Sequence, residues 1–300
     1  MKKKKFSQKL FHLFTYIAMY EVFSIFKMFP LSSYRFLSVL LGNFGYYTMR
    51  KTRKRIISNL KIAFGNEKTD EEMKRLAKKI LIEIILNSME TIYLTLVSKK
   101  ELLKLVEIDG EEKLHNCLKE KKGAVAVCAH LGNFPLMQAR LTIAGFPVKA
   151  IIKDSNNPYL ARFWHKTRNK MGIPFISKWD IKNAVLQSQH FLKQGEIVCF
   201  YLDQHAGNGV KAKMFGKDVF VPRGAATFSR KNRCPVIGLF PYRKKGNRHK
   251  IIVEGPYNLK ITENPNQDII ENSCFFIKRV EHFVRMYPDQ WFSWLHRRFR

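Results

Sequence analysis

Acidic side chains are the scarce class in this chain. It carries 24 Asp+Glu against 54 Lys+Arg, a formal net charge of +30 at pH 7. Cysteine is also sparse. Cys117, Cys128, Cys199, Cys234 and Cys274 are widely spaced, odd in number and form no C-x-x-C pair. That spacing argues against a disulfide framework and a cysteine-built zinc site, and points to a reducing, cytosol-facing location. A Walker loop, G-x-G-x-x-G, H-E-x-x-H and G-x-S-x-G are all missing, so nucleotide-binding, zinc-protease and serine-hydrolase readings lose their best support. No nucleic-acid-module signature, internal repeat or low-complexity linker is present either.

What is present is a great deal of apolar material: 46% hydrophobic and 13% aromatic residues. A disordered tail, the usual explanation of extreme charge, fails because this content can build a core. The basicity calls for an anionic partner, and nucleic acid, an anionic membrane and an acidic carrier protein all qualify. The missing module signatures favour the last two.

Met1 to Lys5 opens with four lysines ahead of an apolar stretch from Leu10 to Phe29, interrupted by His12, Glu21 and Lys27. The stretch is too long for a signal-peptide h-region and has no clear cleavage site. Glu21 and Lys27 make a spanning helix costly, so a helix lying in the membrane interface competes with a span and with a buried core helix. A second amphipathic stretch, Leu31 to Tyr47, runs into the basic cluster Arg50 to Arg55. Thr69-Asp70-Glu71-Glu72 reads as a capped helix start, with acids complementing the N-terminal dipole. The first third is therefore expected to be helical.

From Val106 short β-rich runs alternate with helical patterns. Strands are expected near 124–128, 148–152, 197–202, 235–240 and 250–254, and helices near 132–145, 158–171, 181–194 and 222–233. The fold class is thus α/β, a mixed sheet flanked by helices, with a helical, membrane-associating N-terminal region. The expected divisions are 1–50 (membrane-associating helices), 51–105 (helical region) and 106–300 (α/β domain). Ligands in such sheets bind beyond the carboxyl ends of strands, which is where the polar residues fall.

His130 follows one strand and precedes a Gly-Asn turn into a helix, a place where an imidazole can act as a general base. A histidine after a strand is more often structural. Lys153 and the Asn156-Asn157-Pro158 turn lead into a basic helix bearing Arg162 and Arg168, suited to an anionic head group but equally to a capped helix with a solvated face. Asp203-Gln204 follows the most apolar strand, where an acid can orient a base or bind a head group. Arg223 stands in a turn into another helix. The end of the chain, Tyr287 to Arg298, interleaves aromatic and basic groups, which fits a docked segment, a membrane edge or nucleic acid.

The ordered set N-L-K-I-A-F-G (59–65), A-H-L-G-N-F (129–134), N-N-P (156–158), D-Q (203–204), F-G (215–216), G-A-A (224–226), P-V-I (235–237) and Y-P-D-Q-W-F-S-W-L-H-R-R (287–298) resembles the bacterial lipid A secondary acyltransferase family, of the lysophospholipid acyltransferase superfamily. The resemblance implies an inner-membrane enzyme with its catalytic domain facing the cytoplasm. It would take a fatty acyl group from acyl carrier protein or acyl-CoA to a hydroxyl of an anionic glycolipid, with no cofactor, metal or nucleic acid. Other readings are a lysophospholipid or other lipid acceptor, or a catalytically impaired lipid-binding protein.

The family motif is a histidine followed, after four residues, by a carboxylate. His130 fills the first position and Pro135 the second. No Asp or Glu occurs between Glu120 and Asp154, so no small frame shift restores the pair. His130 then acts alone, or takes a carboxylate such as Asp203 from another loop, or serves a chain that only binds lipid. The resemblance makes His130 a catalytic candidate, and Asp203 joins it as the carboxylate that could replace the missing motif acid. Asn133, Lys153, Asn157, Arg168, Gln204 and Arg223 are the candidates for oxyanion or substrate binding.

Overall fold

The computed structural model describes residues 2–299, with side chains from Ser7 onward; the side chains of the basic start, Met1 to Lys5, lie outside the described residues. Four helices come first: α1 (Lys2–Lys27), α2 (Leu31–Thr48), α3 (Arg50–Phe64) and α4 (Asp70–Tyr93). The expected start of α4 is present as a capping box. Thr69 accepts from the Glu72 amide, and Glu72 reaches back to the Thr69 amide. Helix α2 lies so close to α4 that a Cβ at Gly42 would stand 2.8 Å from the Ile82 backbone, which is why a side chain is missing there.

The α/β part follows as α5 (Lys99–Leu105), β1 (Val106–Asp109), α6 (Glu111–Leu118), β2 (Ala124–Cys128), α7 (Phe134–Ile143), β3 (Val148–Ile152), α8 (Pro158–Lys170), β4 (Phe175–Ser177), α9 (Ile181–Lys193) and β5 (Ile197–Tyr201). Next come the hairpin β6 (Val210–Met214) and β7 (Lys217–Val221), α10 (Gly224–Asn232), β8 (Val236–Arg243), β9 (His249–Glu254) and α11 (Pro265–Met286). Two short 3-10 turns, Pro288–Gln290 and Phe292–Leu295, close the chain.

Seven strands form one sheet in the order β1-β9-β8-β2-β5-β3-β4, all neighbours parallel except β8 with β9. The fold is therefore α/β with a mixed, mostly parallel sheet, as the alternation of apolar runs implies. Strand β2 is buried at every residue because both faces are covered. Val125 and Val127 face a core with α3, α4, α10 and α11. Ala124, Ala126 and Cys128 face a second core built with α7 residues Leu136, Met137 and Leu141. The helices are thus split between the two faces, and the carboxyl ends of β2, β5 and β3 are left at one edge.

Several elements differ from the sequence reading. The segment after Asp203, where no further strand is expected, continues into the β6–β7 hairpin, and α11 is a long helix without a counterpart among the expected elements. In β6 and β7 one face carries Ala212, Met214, Val219 and Val221 into the core, while Lys211, Lys213, Lys217 and Asp218 stay exposed. The resulting alternation of single apolar residues is a short, weak signal. Among the described residues no helix is long and apolar enough to cross a membrane.

Candidate active site

The loop from Ala129 to Asn133 leaves the carboxyl end of β2 and is held on every side. His130 accepts from the Phe292 amide at 2.8 Å through its carbonyl, and Gly132 donates to the Gln290 carbonyl at 2.9 Å. Asn87 of α4 donates its amide to the Gly132 carbonyl at 3.0 Å. Gly132 has φ +51°, and a Cβ there would meet the Pro241 carbonyl oxygen at 2.6 Å. The position therefore demands glycine on both grounds.

Asp203, just past β5, is fully buried and uses both carboxylate oxygens. Oδ1 lies 2.8 Å from His130 Nδ1. Oδ2 accepts from the His130 amide at 3.0 Å, from Trp291 Nε1 at 2.7 Å and from the Ser293 hydroxyl at 2.7 Å. Burial alone would raise the Asp203 pKa, but the charge and donors of His130, with Ser293, outweigh it and hold the carboxyl well below its usual range. An ionised carboxylate only accepts, so Nδ1 carries a proton, and in the neutral imidazole Nε2 is then the nitrogen with the free lone pair. The imidazole is partly exposed, packed between the rings of Phe134 and Tyr201 with centroids 5.0 and 4.7 Å away. Positioned in this way, a neutral imidazole can take a proton and keep the imidazolium stabilised.

Pro135 lies in the first turn of α7, where a missing N–H costs nothing. It supplies no carboxylate to His130, and Asp203 from the neighbouring strand stands at Nδ1 instead.

Behind the loop sits a buried ionic network. Arg243 at the end of β8 is paired with Glu83 through Nε at 2.8 Å and with Glu90 through Nη2 at 2.9 Å, and also bonds Asn87. His249 Nε2 is 3.2 Å from Glu90. Desolvation would lower the Arg243 pKa, but the two glutamates raise it above its ordinary value. Glu83, Asn87 and Glu90 lie at spacings of four and three along one face of α4, so a single helix delivers three polar groups to one point. Gln290 completes the contact, accepting from the Arg243 amide at 2.6 Å and donating to its carbonyl at 3.2 Å.

Of the other sequence candidates, Asn133 is buried and already committed. Its Oδ1 caps α7 by accepting from Leu136 at 3.1 Å, and its Nδ2 donates to Glu90 at 3.0 Å. Asn157 caps α8 and donates to the His12 carbonyl at 2.8 Å and to Thr15 at 2.9 Å, which ties α8 to α1. Arg168 pairs with Asp154 at 3.2 Å and covers the Phe175 ring at 4.5 Å. The side chains of these three therefore make structural contacts. Lys153 after β3, Gln204 after β5 and Arg223 before α10 are exposed.

The motif residues scattered in sequence meet around this loop. Asn59 of α3 donates to the carbonyls of Trp294 and His296 at 2.8 and 2.9 Å. Phe64 and Phe215 each lie with ring centroids 6.0 Å from Trp294. Buried Arg298 donates to the Phe220 carbonyl at 3.0 Å; burial pushes its pKa down to about 10, against the pull of Asp203. Sequence reading missed Glu83, Asn87, Glu90, Arg243 and His249, because nothing local distinguishes them from ordinary surface polar residues. Trp291 and Ser293 stood inside a motif whose use was left open.

No curated protein sequence matches the chain. The family described as bacterial lipid A biosynthesis acyltransferase matches it over residues 3–300, nearly the whole length. With that match spanning the His130 loop, Asp203 and the C-terminal segment Tyr287 to Arg298 together, the chain belongs to the bacterial lipid A biosynthesis acyltransferase family and is an acyltransferase.

Proposed function

We propose that this acyltransferase moves a fatty acyl group from a thioester donor, acyl carrier protein or acyl-CoA, to a hydroxyl of a lipid A precursor, with His130 as base and Asp203 as its orienting carboxylate. The carrying observation is the 2.8 Å contact between Asp203 and His130 Nδ1, which leaves Nε2 as an acceptor. Nε2 takes the proton of the acceptor hydroxyl as its oxygen attacks the thioester carbonyl. The tetrahedral intermediate collapses with loss of the thiolate, which receives the proton from the imidazolium. The product is an ester and a free thiol.

With Asn133 engaged by Glu90, the oxyanion falls to backbone donors. Pro135 has no N–H and Leu136 is taken by the Asn133 cap, so the Phe134 amide is the first-turn donor we assign. Exposed Lys153, Gln204 and Arg223 are the groups we assign to the phosphates or sugar of the acceptor.

The reading extends to location: the inner membrane, with the sheet edge on the cytoplasmic side. Supporting it, α1 exposes Phe11, Phe14, Val22 and Ile25, and α2 exposes the stripe Phe36, Leu40, Phe44 and Tyr47. Such exposed apolar faces suit a bilayer interface. In this reading residues 1–50 are the membrane-associating part and 106–300 the catalytic part.

The test is the lipid A profile by mass spectrometry of a deletion strain complemented with wild type or with His130→Ala. Wild type should restore one acyl increment and His130→Ala should not. Restoration by His130→Ala would overturn the assignment, and an increment on a lysophospholipid would redirect it to another acceptor.

A further inference from the structure

A cleft of about 430 Å³ lies between α1 and α8, and it includes none of the residues of the His130 loop. Its wall is aromatic: Tyr16, Tyr20, Tyr159 and Phe163 pack against one another with centroid distances of 6.1 to 6.4 Å. Its rim is cationic, with Arg162, Lys166 and Lys170 at successive four-residue steps on α8 and Lys27 opposite them on α1.

That stripe is not explained by the fold. Like charges four residues apart on a helix repel, α8 contains no acidic residue, and among the described residues none of the four cations has a carboxylate partner. The helix dipole favours cations only in the last turn, which accounts for Lys170 but not for Arg162 near the start of α8. Burial and the nearby Lys170 both lower the Lys27 pKa, the sign of cations crowded without a counter-ion. Lys27 also sits 4.6 Å above the Phe23 ring, a contact that places its ammonium. The α8–α1 tie through Asn157 fixes the two walls relative to each other.

We infer that this cleft binds the phosphate of an anionic bilayer phospholipid, with Arg162, Lys166, Lys170 and Lys27 on the head group and the aromatic wall against its glycerol and upper acyl chains. The shared chemistry is phosphate recognition. A lipid rather than a soluble phosphate is indicated by the aromatic wall and by the exposed Val22, Ile25, Met28 and Phe29 at the same end of α1. The inference rests on the membrane-facing reading of α1 but not on the chemistry at His130. Its consequence is orientation: a head group held between α1 and α8 would fix how the sheet edge meets the bilayer.

The test measures partition of the full chain onto phosphatidylcholine vesicles with and without phosphatidylglycerol. Binding of wild type to pure phosphatidylcholine tests the membrane-facing reading by itself. The inference is read from the preference for phosphatidylglycerol, which should fall about tenfold or more in Arg162→Gln/Lys166→Gln/Lys170→Gln and about threefold in Lys27→Gln. The charge-matched control Lys99→Gln/Lys100→Gln/Lys104→Gln, on α5, should keep the preference. Equal losses in control and cleft variants, or no loss in the Lys27 and triple variants, would overturn the proposal. So would calorimetric binding of inorganic phosphate that the triple variant lacks while its vesicle preference is unchanged, because the cleft would then serve soluble phosphate.

Discussion

The Asp203 carboxylate grips His130 twice, ring and backbone: Oδ1 lies 2.8 Å from Nδ1 and Oδ2 accepts the His130 peptide N–H at 3.0 Å. One side chain thereby sets the imidazole tautomer and the path of the loop that carries it. The carboxylate that the family motif places five residues after the histidine is absent at Pro135, and the carboxylate at Nδ1 comes instead from Asp203, just past the neighbouring strand β5.

If Nδ1 is already served, restoring the motif acid should gain little. Pro135→Glu is expected to change kcat/KM by no more than about threefold, a small free-energy effect. Steady-state acyl transfer in membranes checks this, and a gain of a hundredfold would show that the native pairing is inadequate.

Trp291 and Ser293 hold Asp203 at 2.7 Å each. Hydrogen bonds to a charged group contribute about 1.5–3 kcal/mol, so Ser293→Ala and Trp291→Phe should each lower stability by that order, the tryptophan change somewhat more because a buried ring shrinks. Losing a donor also destabilises the ionised carboxylate. Urea unfolding monitored by circular dichroism measures the cost, and an unchanged midpoint in both would mean these donors are idle.

Gly132→Ala should be worse than an ordinary surface substitution. With φ +51° and a Cβ 2.6 Å from the Pro241 oxygen, the loop must shift, at a cost of about 1–3 kcal/mol for the backbone alone. Because His130 is two residues away, kcat should fall more than KM rises. Kinetics with intact KM and kcat would contradict this coupling.

Glu90 supplies a pH dependence whose sign is fixed. Burial opposes its ionisation, but His249 and Arg243 lower its pKa from 4.5 to about 2. A depressed carboxylate gives stability that is fully present above 4.5 and is lost as the pH falls through about 2. Glu90→Gln should therefore flatten the fall in Tm across that window. It should also lower stability at neutral pH, because removing a partner from a buried ion pair costs about 3–5 kcal/mol. A Glu90→Gln curve parallel to wild type would remove Glu90 from the acid response.

How far the sequence carried this picture differs by element. Strands β2, β3, β5, β8 and β9 and the helices between them were legible because a sheet covered on both faces needs continuous apolar runs. The hairpin β6–β7 was not, since one buried face leaves only a short alternation among lysines. His130 and Asp203 could be named as candidates from their places after strands. That a bond of 2.8 Å joins them depends on β2 and β5 being parallel neighbours, a pairing between residues 73 apart that no local pattern encodes. The commitment of Asn133, Asn157 and Arg168 to structural contacts was hidden for the same reason: their partners lie on α4, on α1 and at the end of β3.

The most direct test of the account is acyl transfer to a lipid A precursor in membranes containing wild type, His130→Ala or Asp203→Asn, with expression and vesicle binding measured in parallel. His130→Ala should be inactive. Asp203→Asn should keep a residual rate about 10⁴-fold below wild type, the scale seen when an orienting carboxylate is lost from a histidine base. Near-wild-type transfer by Asp203→Asn would contradict the claim that this carboxylate replaces the acid missing at Pro135.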